Sequence, residues 1–261
     1  MLAAQALGFG GESVAWTKAD LINELASIRG YQSYLEIATP TSGMLYGEVN
    51  RTRYSTCHRL MYRYPANFVA KLIYLARFQD ILPIDFRTSD LDITECVRAI
   101  QARGLKYDVI LVDSFHEYAE SARDIGVAVD LLNPDGTVIV HDCFPRDSAL
   151  AGPTFVEGAW CGVTYKAYLD FVLSRKDLDF CTIDTDFGCG IIRKSAGGWS
   201  LSQVARQAPD GKRDAIDQWM RLGDNHAAAF DLLTAHAGTL LNLVSVDEFF
   251  AAERRGARTT A

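Results

Sequence analysis

Tyr107–Pro145 reads YDVILVDSFHEYAESARDIGVAVDLLNPDGTVIVHDCFP, and the fold follows from it. Two apolar runs, Val109–Val112 and Thr137–Val140, each break off into polar residues. Continuous Val/Ile/Leu runs of this length suit strands buried on both faces of a parallel sheet. Between them Tyr118, Ile125, Val129 and Leu132 fall at roughly helical spacing, and Asn133-Pro134-Asp135-Gly136 reads as a stop and a turn. The unit is therefore βαβ. Open α/β sheets bind ligands outside the carboxyl ends of their strands. Asp113, His116, His141 and Asp142 all fall at such ends.

Upstream, Thr17 suits the cap of a helix whose Leu21, Ile22, Leu25 and Ile28 share a face, ending at Gly30. Ser33–Ala38 is a short strand running into a loop of small residues, Thr39–Gly43. Thr56–Tyr62 is expected to be the second strand, Phe68–Phe78 a short helix and Ile84–Arg87 the third strand, delivering Thr88, Ser89 and Asp90. Ile93, Val97 and Ile100 mark the next helix. Downstream, Trp160–Leu173 reads as a helix, and Asp179–Asp184 with Gly190–Arg193 as two strands joined by a tight Thr185–Gly188 connection. Residues 201–250 have a helical pattern.

At 261 residues, 49% hydrophobic and 23% charged, the chain has length for one sizeable core. A formal charge of −7 argues against a nucleic-acid partner held by a broad basic face. No leader-like start and no membrane-length apolar run is present, so a cytoplasmic protein is expected. The six scattered cysteines lack a C-x-x-C pair and suit reduced thiols.

Several motifs together resemble class I S-adenosylmethionine-dependent methyltransferases, nearest the branch often encoded beside polysaccharide or natural-product genes. They are YLEIA-x-x-x-x-G, TSD, YDVILVDSFHEY with Asp124, NPDG, VHDCFP, GVTYKAYLDF and TDFGCGIIRK, spanning about residues 30–194. The resemblance implies an α/β, Rossmann-like doubly wound sheet of seven strands with the last antiparallel. Residues 1–30 would then be an N-terminal arm and helix, 31–196 the core and 197–261 a helical extension. It implies S-adenosylmethionine as cofactor. The cofactor loop would run from Glu36 through Ala38, Thr39 and Ser42 to Gly43, with Ser89 and Asp90 by the adenine and Asp113 between cofactor and acceptor. Two departures stand out. Ala38 replaces the usual Gly, and no acidic residue ends the second strand to hold the ribose hydroxyls, the nearest matches being His58 and Arg59.

The implied reaction is methylation of a hydroxyl on a small-molecule or glycan acceptor, a sugar or secondary metabolite. Removal of the hydroxyl proton needs a base, and a near-neutral imidazole suits it. His116 is the candidate base and Asp113 its companion. Similar proteins that methylate sugar hydroxyls use Mg2+; carried over, its ligands would be Asp113, His141 and Asp142, though a hard ion prefers oxygen to His141. Plainer roles compete: Asp113 as a helix N-cap, His116 as a surface histidine, His141-Asp142 as a structural pair, Trp160, Tyr165 and Tyr168 as core, Cys143 as inert packing and Lys166 as a solvated charge. The alternative function is a methyltransferase-fold module that has lost methyl transfer and binds a glycan precursor or partner. The apolar C-terminal helices must bury a face on the core, over the acceptor site, or on a second copy of the chain as a homo-oligomer.

Overall fold

A computed structural model describes residues 16–40, 48–69, 72, 86–195 and 212–259. Helix α1 (Lys18–Arg29) begins at a Thr17 capping box with Asp20 and stops at Gly30, whose φ of 68° is the left-handed conformation glycine takes freely. Strands β1 (Ser33–Ala38), β2 (Thr56–Met61), β3 (Phe86–Arg87), β4 (Tyr107–Asp113) and β5 (Leu132–Val140) are parallel. Helix α2 (Thr94–Ala102) precedes β4, and α3 (Tyr118–Leu131) joins β4 to β5. After α4 (Thr164–Leu173), strands β6 (Leu178–Ile183) and β7 (Cys189–Lys194) form a hairpin, and β7 runs antiparallel to β5.

The strand order is β3-β2-β1-β4-β5-β7-β6-β8, with β8 at Leu243–Val244. This is the doubly wound Rossmann-like sheet the sequence predicts, including its antiparallel β7. The count is eight rather than seven, because the C-terminal region contributes β8, which pairs in parallel with the edge of β6. The chain steps outward from β1 to β3, then reverses through β4 and β5. The switch point lies between β1 and β4, where Ala38 and Asp113 pair as the last residues of their strands. A ligand crevice belongs there.

Two apolar layers sandwich the sheet. Leu35, Ile37, Ile110, Val112, Val138 and Val140 face α3 and α4, whereas Tyr34, Val109, Leu111, Ile139 and Ile191 face α1. Alternation along one strand thus feeds both cores. Helices α5 (Lys212–Trp219) and α6 (His226–Leu240) add Trp219, Leu233 and Leu240 to the first layer. Helix α7 (Val246–Thr259) adds Phe249 and Phe250 to the second and lies against α1. Its Glu253 binds Arg29 at 2.6 Å and Arg193 at 2.9 Å. The apolar face of the C-terminal region is therefore buried on the core.

Some local readings change. Asn133–Gly136 lies within β5 and not in a free turn, because Leu132 already pairs with Tyr107 and the register slips before Val109 meets Thr137. Helix α4 starts at Thr164, four residues later than predicted, because Gly162 takes φ 57° and turns the chain first. Lys166 is buried, paired to Asp170 at 2.6 Å and set over the rings of Tyr118 and Trp219. All six cysteines are free thiols. Most of the Phe68–Phe78 segment, with Ile84, Asp85 and the arm through residue 15, lies outside the described residues.

Candidate functional site

The loop after β4 is fixed from three sides. The Phe115 N–H donates to the Tyr62 hydroxyl at 2.8 Å, and the Ser114 hydroxyl donates to Asp124 at 2.8 Å. His116 directs Nδ1 at the Trp160 carbonyl, 2.5 Å away, while its own carbonyl accepts from Val163 N–H at 2.9 Å. A carbonyl only accepts, so Nδ1 carries the proton and Nε2 is the nitrogen that exchanges one. Nε2 lies 3.2 Å from Asp142 Oδ2 and 3.6 Å from Asp113 Oδ1, with no well-aligned hydrogen bond.

The loop after β5 supplies His141 and Asp142. Asp142 holds φ at 61°, a conformation rare outside glycine that clusters at functional sites. The turn joining β6 and β7 holds it there: Cys143 and Phe144 donate N–H to the carbonyls of Gly188 and Phe187 at 2.9 and 2.7 Å. His141 Nδ1 sits 3.0 Å from Asp142 Oδ2 and 3.7 Å from Asp113 Oδ1, and its Nε2 sits 3.3 Å from Asp186 Oδ2.

The sixth charged member comes from α1. Lys18 Nζ reaches Asp113 Oδ2 at 2.5 Å, and the Lys18 backbone N–H donates to Asp186 Oδ2 at 2.8 Å. Lys18 is 7% exposed and Asp113 2%. Burial alone would raise the Asp113 pKa, but the Lys18 ammonium and then His116 bring it down to about 2. Asp142 is held well below the carboxylate range against the same burial, chiefly by His141 and His116. Burial would lower both imidazoles; Asp142 first reverses this, lifting His141 to about 10 and His116 above its ordinary 6.5.

A cavity of about 430 Å3 opens beside His116, floored by Thr39 and Ser114 and walled by Phe115, Phe155 and Trp160. The three rings pack with centroids 5.3–5.8 Å apart. The cavity therefore joins the end of β1 to the end of β4, the two sides of the switch point.

Among the predicted site residues, Asp113, His116, His141 and Asp142 meet in this one cluster, and Thr39 faces the cavity beside them. Ala38 is fully buried between Met61 and Asp113. Glu36 lies inside the sheet, binding Arg59 at 2.9 Å and accepting from the Tyr34 hydroxyl at 2.9 Å. Ser89 and Asp90 are exposed beyond β3 and do not line the cavity. Ser42 and Gly43 lie outside the described residues.

Neither candidate for the missing ribose acid stands at a strand end. Arg59 is spent on Glu36, and His58 Nδ1 meets the Tyr107 hydroxyl at 2.7 Å. The residues that follow β2 are Tyr62 and Arg63, and the Arg63 guanidinium lies 3.7 Å over Phe115 while binding Glu120 at 2.8 Å. Asp113 is not a helix cap, since Glu117 holds that position for α3. His116 is no surface residue, its side chain being 16% exposed. Tyr165 and Tyr168 belong to the core, whereas Trp160 precedes α4 and lines the cavity.

Sequence reading missed Lys18, Asp186 and the Trp160 carbonyl. Lys18 reads as an ordinary first-turn residue after a cap. Asp186 carried one signal, its place in the tight Thr185–Gly188 connection, where it adopts φ 47°.

No family model and no curated protein matches the chain. Solved structures do resemble it in fold. A methyltransferase from Podospora anserina, bound to S-adenosylhomocysteine, is 16% identical over 68% of this chain and 77% of its own, with a TM-score of 0.48. An O-methyltransferase of tomaymycin synthesis from Streptomyces achromogenes, in complex with S-adenosylmethionine, is 15% identical over 69% and 82%, with a TM-score of 0.49. An O-methyltransferase from Bacillus cereus, in complex with S-adenosylhomocysteine, is 14% identical over 70% and 83%, also at 0.49. The fold class itself rests on the strand order and on the direction of β7. Among the described residues, no helix is long and apolar enough to cross a membrane.

Proposed function

We propose that this chain transfers a methyl group from S-adenosylmethionine to a hydroxyl of a small acceptor, a sugar or secondary metabolite. The observation that carries this reading is the position of His116 Nε2. It is the proton-exchanging nitrogen of a locked imidazole, buried against Asp142 and Asp113, and the His116 side of that ring's loop lines a cavity that spans the switch point of a doubly wound sheet. In this reading Thr39, with Ser42 and Gly43 beyond it, approaches the methionine part of the cofactor, and Ser89 and Asp90 lie toward the adenine. Ala38 is wholly buried, so in this reading its methyl group does not project into open space where the cofactor would lie.

Transfer makes one bond and breaks one. S-adenosylmethionine, approached by Thr39 at the end of β1, would supply an electrophilic methyl group to the acceptor oxygen and carry off the sulfur as a neutral thioether. The hydroxyl proton passes to His116 Nε2. The resulting imidazolium faces Asp142 and Asp113 at 3.2 and 3.6 Å, so it forms beside two carboxylates that stabilise it. Phe115, Phe155 and Trp160 give the acceptor an apolar wall to lie against.

Mg2+ fits this site poorly. Asp113, His141 and Asp142 do bring ligand atoms within 4.8 Å of one another. One of the three is a nitrogen donor, which a hard ion disfavours, and Asp113 is already neutralised by an ammonium at 2.5 Å. No step of the reaction is assigned to a metal.

Calorimetric titration with S-adenosylmethionine and S-adenosylhomocysteine, followed by release of S-adenosylhomocysteine over a panel of hydroxylated acceptors, tests the reading. Micromolar binding and acceptor-dependent release support it. Absence of cofactor binding up to millimolar would instead favour a binding module that keeps the fold without the reaction.

A further inference from the structure

Asp113, His141 and Asp142 bring one ligand atom each within 4.8 Å of the others, the span of a three-ligand metal set. Lys18 enters the same space. We propose that Lys18 is the resident cation of this cluster, its ammonium holding the position a divalent ion would otherwise take, so that the triad is a metal centre kept closed by a lysine.

Three features support this. The ammonium is bound directly to a member of the triad, 2.5 Å from Asp113 Oδ2, with the lysine side chain 8% exposed. A surface lysine would swing aside into water to admit an ion; this one is enclosed, and its backbone is held at two points. Its backbone N–H is tied to Asp186 at 2.8 Å, and the Thr17 capping box fixes the start of α1 around it. Asp186 in turn faces His141 Nε2 at 3.3 Å, so the group that anchors the Lys18 backbone also touches the imidazole that would serve as ligand. The charges facing the ammonium are then Asp113, Asp142 and Asp186, with His116 and His141 across the same carboxylates. A divalent ion placed among Asp113, His141 and Asp142 would sit within a few ångströms of a fixed positive charge in a buried setting, where repulsion is weakly screened.

The arrangement has a consequence for the acceptor. The positive charge beside Asp113, at the switch point, belongs to the chain itself and does not depend on the supply of a free ion.

The test is metal binding, read without activity. Mn2+ would be titrated by calorimetry, with electron paramagnetic resonance to report coordination, into the full chain, Lys18→Met and Lys18→Arg. Lys18→Met keeps the length of the stem and removes the charge, leaving Asp113 buried beside an open position. It is expected to bind one Mn2+ about 100-fold or more tighter than the unaltered chain, since an unpaired buried carboxylate gains strongly from a counter-charge. The same ion should raise its melting temperature, and adding Asp142→Asn should abolish both effects. Lys18→Arg should exclude the ion as the unaltered chain does. Micromolar Mn2+ binding by the unaltered chain that Asp142→Asn removes would overturn the proposal. So would a Lys18→Met variant that binds Mn2+ no better than the parent, or that fails to fold even when Mn2+ is supplied. None of these outcomes decides whether the chain transfers methyl groups.

Discussion

Gly162 lies directly against His116: a Cβ added to it would sit 2.1 Å from the His116 carbonyl oxygen and 2.6 Å from the His116 Cβ. The backbone at Gly162 also holds φ at 57°, which side chains disfavour. Gly162→Ala should therefore destabilise the fold by about 2 kcal/mol or more and push the His116 loop outward. Denaturant unfolding reads the first effect, and a loss of turnover exceeding any loss of cofactor affinity reads the second.

His116→Ala should lower turnover by about two to four decades if Nε2 takes the proton. Turnover near that of the parent would remove the base from the mechanism. Because Asp142 and Asp113 stabilise the protonated ring, a base at this position works only once that proton is lost. The rate should accordingly climb with pH, with its midpoint above 6.5. A pH–rate profile for the parent, set against the flattened profile of His116→Ala, checks the sign.

Breaking the pair inside the sheet should cost more than deleting it. Arg59 and Glu36 meet at 2.9 Å with their side chains 4% and 1% exposed. Burial pushes the Glu36 pKa up, and Arg59 opposes that rise. Arg59→Met alone strands a buried carboxylate and should destabilise by about 3–5 kcal/mol. Arg59→Met with Glu36→Leu should be less destabilised than Arg59→Met, and chemical denaturation of the three proteins gives the comparison.

Acid should act partly through Asp108. Its carboxylate accepts from the N–H groups of Gln32 and Ser33 at 2.8 and 3.0 Å and from Asn133 at 2.7 Å. Burial would raise its pKa, but these bonds, Gln32's first, bring it below the ordinary 3.8. A group depressed on folding adds stability above its unfolded pKa and loses it as pH falls through the folded one. Asp108→Asn should therefore be less stable than the parent at pH 7 and lose less between about pH 4 and pH 2. Thermal melts across that range provide the measurement.

The central βαβ unit was legible because both of its strands are buried on both faces. Burial on two sides writes an unbroken Val/Ile/Leu run, and where the run stops the strand leaves the core. That rule alone put Asp113, His116, His141 and Asp142 at one end of the sheet. Lys18 was not legible, since 95 residues separate it from Asp113 and only the packing of α1 on the sheet joins them. The Trp160 carbonyl was hidden for another reason. A backbone oxygen has no residue type, and the helical spacing of Trp160, Val163 and Tyr168 disguised the turn at Gly162. The pattern of residues 201–250 disclosed helices but not β8, because two residues are too few to establish an alternation.

The pairing of Leu243 and Val244 with β6 has a consequence during synthesis. A ribosome releases the partners of β6 in reverse order of need: β7 arrives at once, but the outer edge of β6 waits some sixty residues for its second neighbour. Through that interval a nascent chain carries an uncovered strand edge, the kind that recruits other strands. Completion of the sheet is thus coupled to emergence of Leu243 and Val244, and a chain stalled after β7 would present that open edge to chaperones.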